Sequence, residues 1–186
     1  YNKLNKIREK FLKLRKNNYF ELNSNHKKFI LKNIKNIIKK TNLKKIGFYY
    51  PVNFEINITP IISSLRSKSI KIYLPVVEKN NKMNFREWKK YDPLCVNRFG
   101  ILEPDKKNQK GKPDLLIVPL VSFDQDKNRL GYGRGFYDRF LNQISNKKNI
   151  LSVGVAFSFQ QEKKIPFEKH DKKLDFIITE KKLFGS

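Results

Sequence analysis

The sequence predicts an α/β domain, a single layered unit with a mostly parallel central sheet and an antiparallel hairpin. Three observations predict it. Segments with helical spacing alternate with short β-rich runs, the pattern that builds layered α/β domains. Asp114-Leu115-Leu116-Ile117-Val118-Pro119-Leu120-Val121 is almost continuously apolar, as a strand covered on both faces in a parallel sheet must be. The chain of 186 residues amounts to one domain and shows no internal repeat or low-complexity linker to divide it.

The elements follow in order. Leu4, Ile7, Phe11, Leu12 and Leu14 fall near helical spacing among lysines and arginines and define a first helix. Ser24 or Asn25 caps a second, which carries Ile30, Leu31, Ile34, Ile37 and Ile38. Residues 45–50 are short and β-rich and Pro51 stops them, so they read as a strand. Thr59-Pro60 sets a capping residue before a proline at the first helical position and starts a third helix through Ile61, Ile62 and Leu65. Residues 70–77 read as a strand that Asn80-Asn81 turns into an antiparallel partner over 83–88. Gly100, Pro104, Gly111 and Pro113 punctuate 97–113 and predict a long surface loop. The buried strand at 114–121 is followed by a helix over 136–144 and strands over 150–157 and 174–178.

Composition narrows the classes of function. Hydrophobic residues make up 39% and aromatics 13%, too many for a disordered chain despite a mean hydropathy of -0.64. The 41 Lys+Arg against 17 Asp+Glu give a net charge of +24 and a pI near 10.1, which points to a polyanionic partner: nucleic acid, phosphate ligands or an anionic membrane surface. The excess is mostly lysine with abundant Asn and Ile, a bias that genomic base composition also produces. One cysteine, Cys95, excludes an intramolecular disulfide framework and a Cys-rich zinc site. It fits a reducing cytosol and is expected as an ordinary semi-buried thiol. No apolar run approaches the ~20 residues of a membrane span, and the N-terminal pattern is a Lys/Asn-rich helix rather than a signal peptide. A cytoplasmic protein without a membrane partner is expected, with a few residues preceding Tyr1.

The most informative stretch is Asn128-Arg129-Leu130-Gly131-Tyr132-Gly133-Arg134-Gly135-Phe136-Tyr137-Asp138-Arg139. Three alternate glycines lie between a buried strand and an amphipathic helix, where backbone N–H groups and a helix N-terminus together favour an anion. A dinucleotide fingerprint would need glycine where Phe136 stands, and a Walker loop would need Gly-Lys-Ser/Thr, which is absent. Glycines alone equally suit a structural turn into a helix.

The longer string is more specific. Val118-Pro119, Phe123-Asp124 and the run from Asn128 to Arg139 closely resemble the signature of the 5-formyltetrahydrofolate cyclo-ligase family, also called methenyltetrahydrofolate synthetases. The resemblance covers nearly the whole chain. Ile7-Arg8 with Arg15 resembles the family's basic N-terminal helix, and Tyr50-Pro51 with Glu55 its strand-end folate segment. Pro166, Glu168, His170-Asp171, Leu174-Asp175 and Ile178-Thr179 resemble its C-terminal segment. One departure stands out: the lysine usual four residues before the N-terminal arginine is Leu4 here, flanked by Lys3 and Lys6.

The resemblance implies a single three-layer Rossmann-like domain over residues 1–186 and an ATP-dependent ring closure of 5-formyltetrahydrofolate to 5,10-methenyltetrahydrofolate, releasing ADP and phosphate. ATP would meet Lys3, Arg8, Arg129, Leu130, Gly131, Tyr132, Gly133, Arg134, Gly135, Phe136 and Tyr137. Folate would meet Tyr50, Glu55, Tyr132, Gly133, Arg134, Gly135 and Phe136, with Glu55 accepting pterin N–H groups. Arg134 is the implied catalytic residue, neutralising the transferred phosphoryl group. Asp138 and Asp175 are the implied Mg²⁺ carboxylates, since that ion takes one or two carboxylates plus phosphate oxygens. Plainer roles stand beside these: Asp138 steadying its helix's first turn, Asp175 starting a strand, Phe136 packing in the core. His170 is given a supporting role at most, and His26 a surface position.

Two other classes compete. A nucleic-acid-binding module would use the charge and interleaved Lys with Phe/Tyr, but no zinc ligands, RNP strings or basic zipper occur, so no specific nucleic acid is expected. The same fold could serve another phosphorylated or CoA-type ligand. A monomer is expected.

Overall fold

A computed structural model describes residues 2–78, 82–145, 150–167 and 171–185. Helices α1 (Asn2–Asn18) and α2 (Ser24–Thr41) open the chain as their periodicity predicts. In α2, Ile30, Ile34 and Ile37 fall on one face and are buried. Its cap lies one residue earlier than expected, because the Asn23 side chain accepts the His26 N–H at 2.9 Å. Asn42 closes the helix in the left-handed region with φ 53° and donates to the Ile38 carbonyl.

The chain continues through β1 (Lys45–Gly47), α3 (Thr59–Leu65), β2 (Lys71–Val77), β3 (Met83–Glu87), β4 (Leu94–Val96), β5 (Leu102–Pro104) and β6 (Lys110–Gly111). Then come β7 (Leu115–Pro119), β8 (Ser122–Phe123), β9 (Arg129–Leu130), α4 (Phe136–Ser145), β10 (Leu151–Val155), β11 (Phe176–Ile178) and β12 (Leu183–Phe184). The main sheet is ordered β12-β11-β10-β7-β1-β2-β3-β6. Its central strands β11, β10, β7, β1 and β2 are parallel, while β12, β3 and β6 pair antiparallel at the margins. Every residue of β7 is buried between β1 and β10, as its apolar run predicts. One face carries the core of α2 and α3, including Ile30, Ile34, Ile58, Ile61 and Ile62 against Ile46, Ile72 and Ile117. The other face is covered by α4, with Phe140 against Phe85 at 4.8 Å, and by the β8–β9 hairpin, with Phe123 against Phe184 at 5.2 Å. The result is the expected three-layer α/β fold with a mostly parallel sheet. Each of these side chains contributes about 1.5–3 kcal/mol through burial.

The segment 97–113 is more structured than its punctuation suggests. Leu102–Pro104 pairs with Leu94–Val96, and Gly111 pairs with Phe85. A Cβ on Gly111 would come within 2.1 Å of the Tyr73 ring, so this glycine marks a close approach inside the sheet rather than a loop. Cys95 lies on β4 and is exposed, not semi-buried. His26 is half-buried and faces the Phe20 ring at 5.7 Å rather than lying free on the surface. The Asn80-Asn81 turn and His170 fall outside the described residues.

Candidate active site

Loops leaving the carboxyl ends of the parallel strands form one edge of the sheet, where open α/β folds bind ligands. Helix α1 docks there. Arg8 Nε donates to the Gly131 carbonyl at 3.0 Å, and Nη1 donates to Asn5 Oδ1 at 2.7 Å. Gly133 has φ +87°, and a Cβ there would sit 3.3 Å from the Arg8 guanidinium carbon. Gly135 has φ +63° and would bring a Cβ to 2.9 Å from Arg139 Nη1. Only glycine meets both demands without strain, which is why the alternation was visible in the sequence.

The Arg129 side chain runs beneath this loop, almost wholly buried, and its Nη2 pairs with Asp138 Oδ1 at 2.5 Å in the first turn of α4. Its Nε is buried without a hydrogen-bond partner. A buried guanidinium under a glycine turn, with Arg8 above it and a helix N-terminus beside it, is a strongly anion-attracting arrangement. Leu130 is buried as core in β9, so its contribution to a ligand is through the backbone. Phe136 is half-buried at the head of α4, packed towards the core and 6.1 Å from Phe99. Arg134 is exposed, with its guanidinium 4.3 Å from the centre of the Phe99 ring. Phe99 lies in the turn between β4 and β5, so that hairpin reaches the glycine loop. Lys3 is exposed on α1.

The second half of the site is centred on Glu55. Its Oε1 accepts the Tyr132 hydroxyl at 2.7 Å and its Oε2 accepts the Val52 N–H at 2.8 Å. Burial raises its carboxyl above the ordinary 4.5, although Tyr132, Val52 and Arg15 pull the other way. Burial, with Glu55 nearby, pushes the phenols of Tyr49, Tyr132 and Tyr137 well up. The adjacent residues Asn53 and Phe54 have φ 49° and 61°, a left-handed turn that side chains rarely adopt. A cleft of about 420 Å³ opens beside this turn, lined by Tyr19, Tyr50, Asn53, Phe54, Glu55 and Asn57.

The structure therefore brings Arg8, the glycine loop, Arg129, Arg134 and Asp138 to one side of Tyr132, and Glu55 with Tyr50 to the other. It does not bring Asp175 to them. Asp175 precedes β11 and is level with Ser152 near the amino end of β10, where its Oδ2 accepts the Ser152 N–H at 2.7 Å and hydroxyl at 2.9 Å. In this position the carboxylate ties β11 to the start of β10. Among the described residues no cluster of three or more His, Cys, Asp or Glu is placed to hold a metal. The resemblance placed Arg15 only in a basic N-terminal helix, and Phe99 had no expected role. An arginine four residues from Phe11, on the buried face of a helix otherwise rich in exposed lysine, was the signal for the first. Phe99 carried none.

Known proteins resemble this chain in sequence and in fold. The model of the 5-formyltetrahydrofolate cyclo-ligase family matches residues 2–180. A 5-formyltetrahydrofolate cyclo-ligase of Haemophilus influenzae is 37% identical over 150 residues, 77% of this chain and 80% of that protein. One of Escherichia coli is 35% identical over 145 residues, 75% of this chain and 79% of that protein. The solved structure of Aquifex aeolicus 5,10-methenyltetrahydrofolate synthetase superposes with a TM-score of 0.78 at 30% identity, covering 97% of this chain and 91% of that one. With a matching fold, a glycine loop bounded by arginines and a carboxylate across from it, the chain belongs to the 5-formyltetrahydrofolate cyclo-ligase family.

Proposed function

We propose that this protein uses ATP to close 5-formyltetrahydrofolate into 5,10-methenyltetrahydrofolate, releasing ADP and phosphate. The observation that carries the reading is the Tyr132 hydroxyl of the glycine loop on Glu55 at 2.7 Å, which sets a phosphate-attracting loop and a buried hydrogen-bond acceptor side by side. A formyl amide has a poor leaving oxygen. Its oxygen attacks the γ-phosphorus of ATP, the bond to the β,γ-bridging oxygen breaks and ADP departs. N10 then attacks the formyl carbon and loses its proton, and the carbon–oxygen bond breaks with the N5 lone pair assisting. The oxygen leaves within inorganic phosphate.

The substrate supplies the nucleophile, so the protein's work is positioning and charge neutralisation. Arg8, Arg129 and the loop amides face the phosphates, and exposed Arg134, its guanidinium steadied over Phe99, faces the transferred phosphoryl group. Glu55 and Tyr50 receive the pterin. The residues fit one Mg²⁺ that arrives with the nucleotide, because a lone, partly exposed Asp138 beside a phosphate loop suits an ion bound chiefly to phosphate oxygens and water. Bound there, the ion would offset phosphate charge. All these groups come from one chain, so a monomer suffices. The +24 charge suits polyanionic substrates, a polyglutamylated folate included. No helix among the described residues is long and apolar enough to cross a membrane; a cytoplasmic location is part of the same proposal.

The chemistry is tested with ¹⁸O in the formyl group of the substrate. Recovery of the label in inorganic phosphate is the expected result, and label lost to water would contradict phosphorylation of that oxygen.

A further inference from the structure

Among the described residues Arg15 is the largest fully buried side chain, at 1% exposure. Its guanidinium joins segments far apart in sequence. Nε donates to the Asn53 carbonyl at 2.9 Å, Nη1 to the Leu120 carbonyl at 3.2 Å, and Nη2 to the Tyr132 hydroxyl. These acceptors belong to the turn that carries Glu55, the end of the buried strand β7, and the glycine loop. Burying a guanidinium is costly unless its donors are met. Here each of its three nitrogens finds an acceptor, two carbonyls and a phenol, rather than a carboxylate held directly.

The phenol matters because it has one proton. Accepting from Arg15 leaves the Tyr132 hydroxyl to donate to Glu55 Oε1, so the guanidinium dictates which way that proton points. With the Val52 N–H on Oε2, both Glu55 oxygens are fixed. The bond from Nε to the Asn53 carbonyl also holds the left-handed Asn53-Phe54 turn immediately before Glu55. Lysine would keep the charge but not the flat fork that spans three acceptors.

We propose that Arg15 is a positioning residue for the folate side of the reaction, orienting Glu55 through Tyr132. The proposal rests on the cyclo-ligase reading above. Its test compares the full-length protein with Arg15→Lys, Tyr132→Phe and the double variant, each normalised to folded protein by circular dichroism. KM for 5-formyltetrahydrofolate is expected to rise about tenfold in each single variant and KM for ATP to change less than about threefold, as for loss of one charged-group hydrogen bond on the folate side. The double variant should be no worse than the worse single within about twofold, since both cut one link. Tyr132→Phe keeps the ring and serves as the measurement if Arg15→Lys folds poorly.

The proposal is overturned if Arg15→Lys loses activity only in proportion to unfolded protein with KM unchanged, or if the two effects multiply. Tyr132 would then touch folate directly without Arg15 acting through it. A wild-type protein that turns over no 5-formyltetrahydrofolate would overturn the cyclo-ligase reading itself, and this proposal with it.

Discussion

Glu55 shows how one side chain links stability to function. Burial raises its carboxyl above the ordinary 4.5, the value it returns to on unfolding. Between that pH and its higher folded value the native protein binds more protons than the unfolded chain, so this residue makes stability fall as pH rises through the window. The difference in Tm between wild type and Glu55→Gln should therefore shift against wild type as pH increases there; a shift in its favour would contradict the burial argument. Arg134 is the opposite case. It is exposed, so Arg134→Ala should lower kcat by about 100-fold through lost phosphoryl stabilisation while changing stability by about 0.5 kcal/mol or less. An activity loss matched by a loss of folded protein would remove its catalytic role. Gly133 and Gly135 were legible in the sequence because positive φ favours glycine. The bonds from Ser152 to Asp175 were not legible, because they join residues far apart in sequence. Arg15 could be placed on the basic first helix, but its three acceptors could not be read, because they lie on segments far apart in sequence.

Whole elements divide along similar lines. α2 and β7 could be read directly, one from apolar residues at helical spacing and the other from an uninterrupted apolar run. The β8–β9 and β4–β5 hairpins could not, because strands of two or three residues are too short to show alternation. Yet both serve the site: β9 delivers Arg129 and the glycine loop, and the turn after β4 places Phe99 against Arg134. That contact gives the β4–β5 hairpin a role. A cation over an aromatic face contributes about 0.5–1 kcal/mol when exposed, so Phe99→Ala should lower kcat/KM by roughly threefold to fivefold with Tm nearly unchanged. Activity equal to wild type would show that the hairpin merely shelters the loop.

At the scale of the molecule, the layered fold was legible because alternation of helix and strand constrains topology so tightly, while the partner implied by the charge was not. A charge of +24 fits nucleic acid and small polyanions equally. Membership of the cyclo-ligase family puts small polyanions first. If part of the charge steers substrates, kcat/KM falls as salt rises, more steeply for folates with longer glutamate tails. Equal salt dependence at every tail length would leave the excess lysine as background. The central claim is tested most directly by mixing the purified protein with 5-formyltetrahydrofolate and MgATP and following the near-ultraviolet absorbance of the methenyl product together with ADP. Absorbance is expected to grow only when both substrates are present, with one ADP per methenyl group; ATP consumed without that product, or no reaction at all, would contradict cyclo-ligase activity.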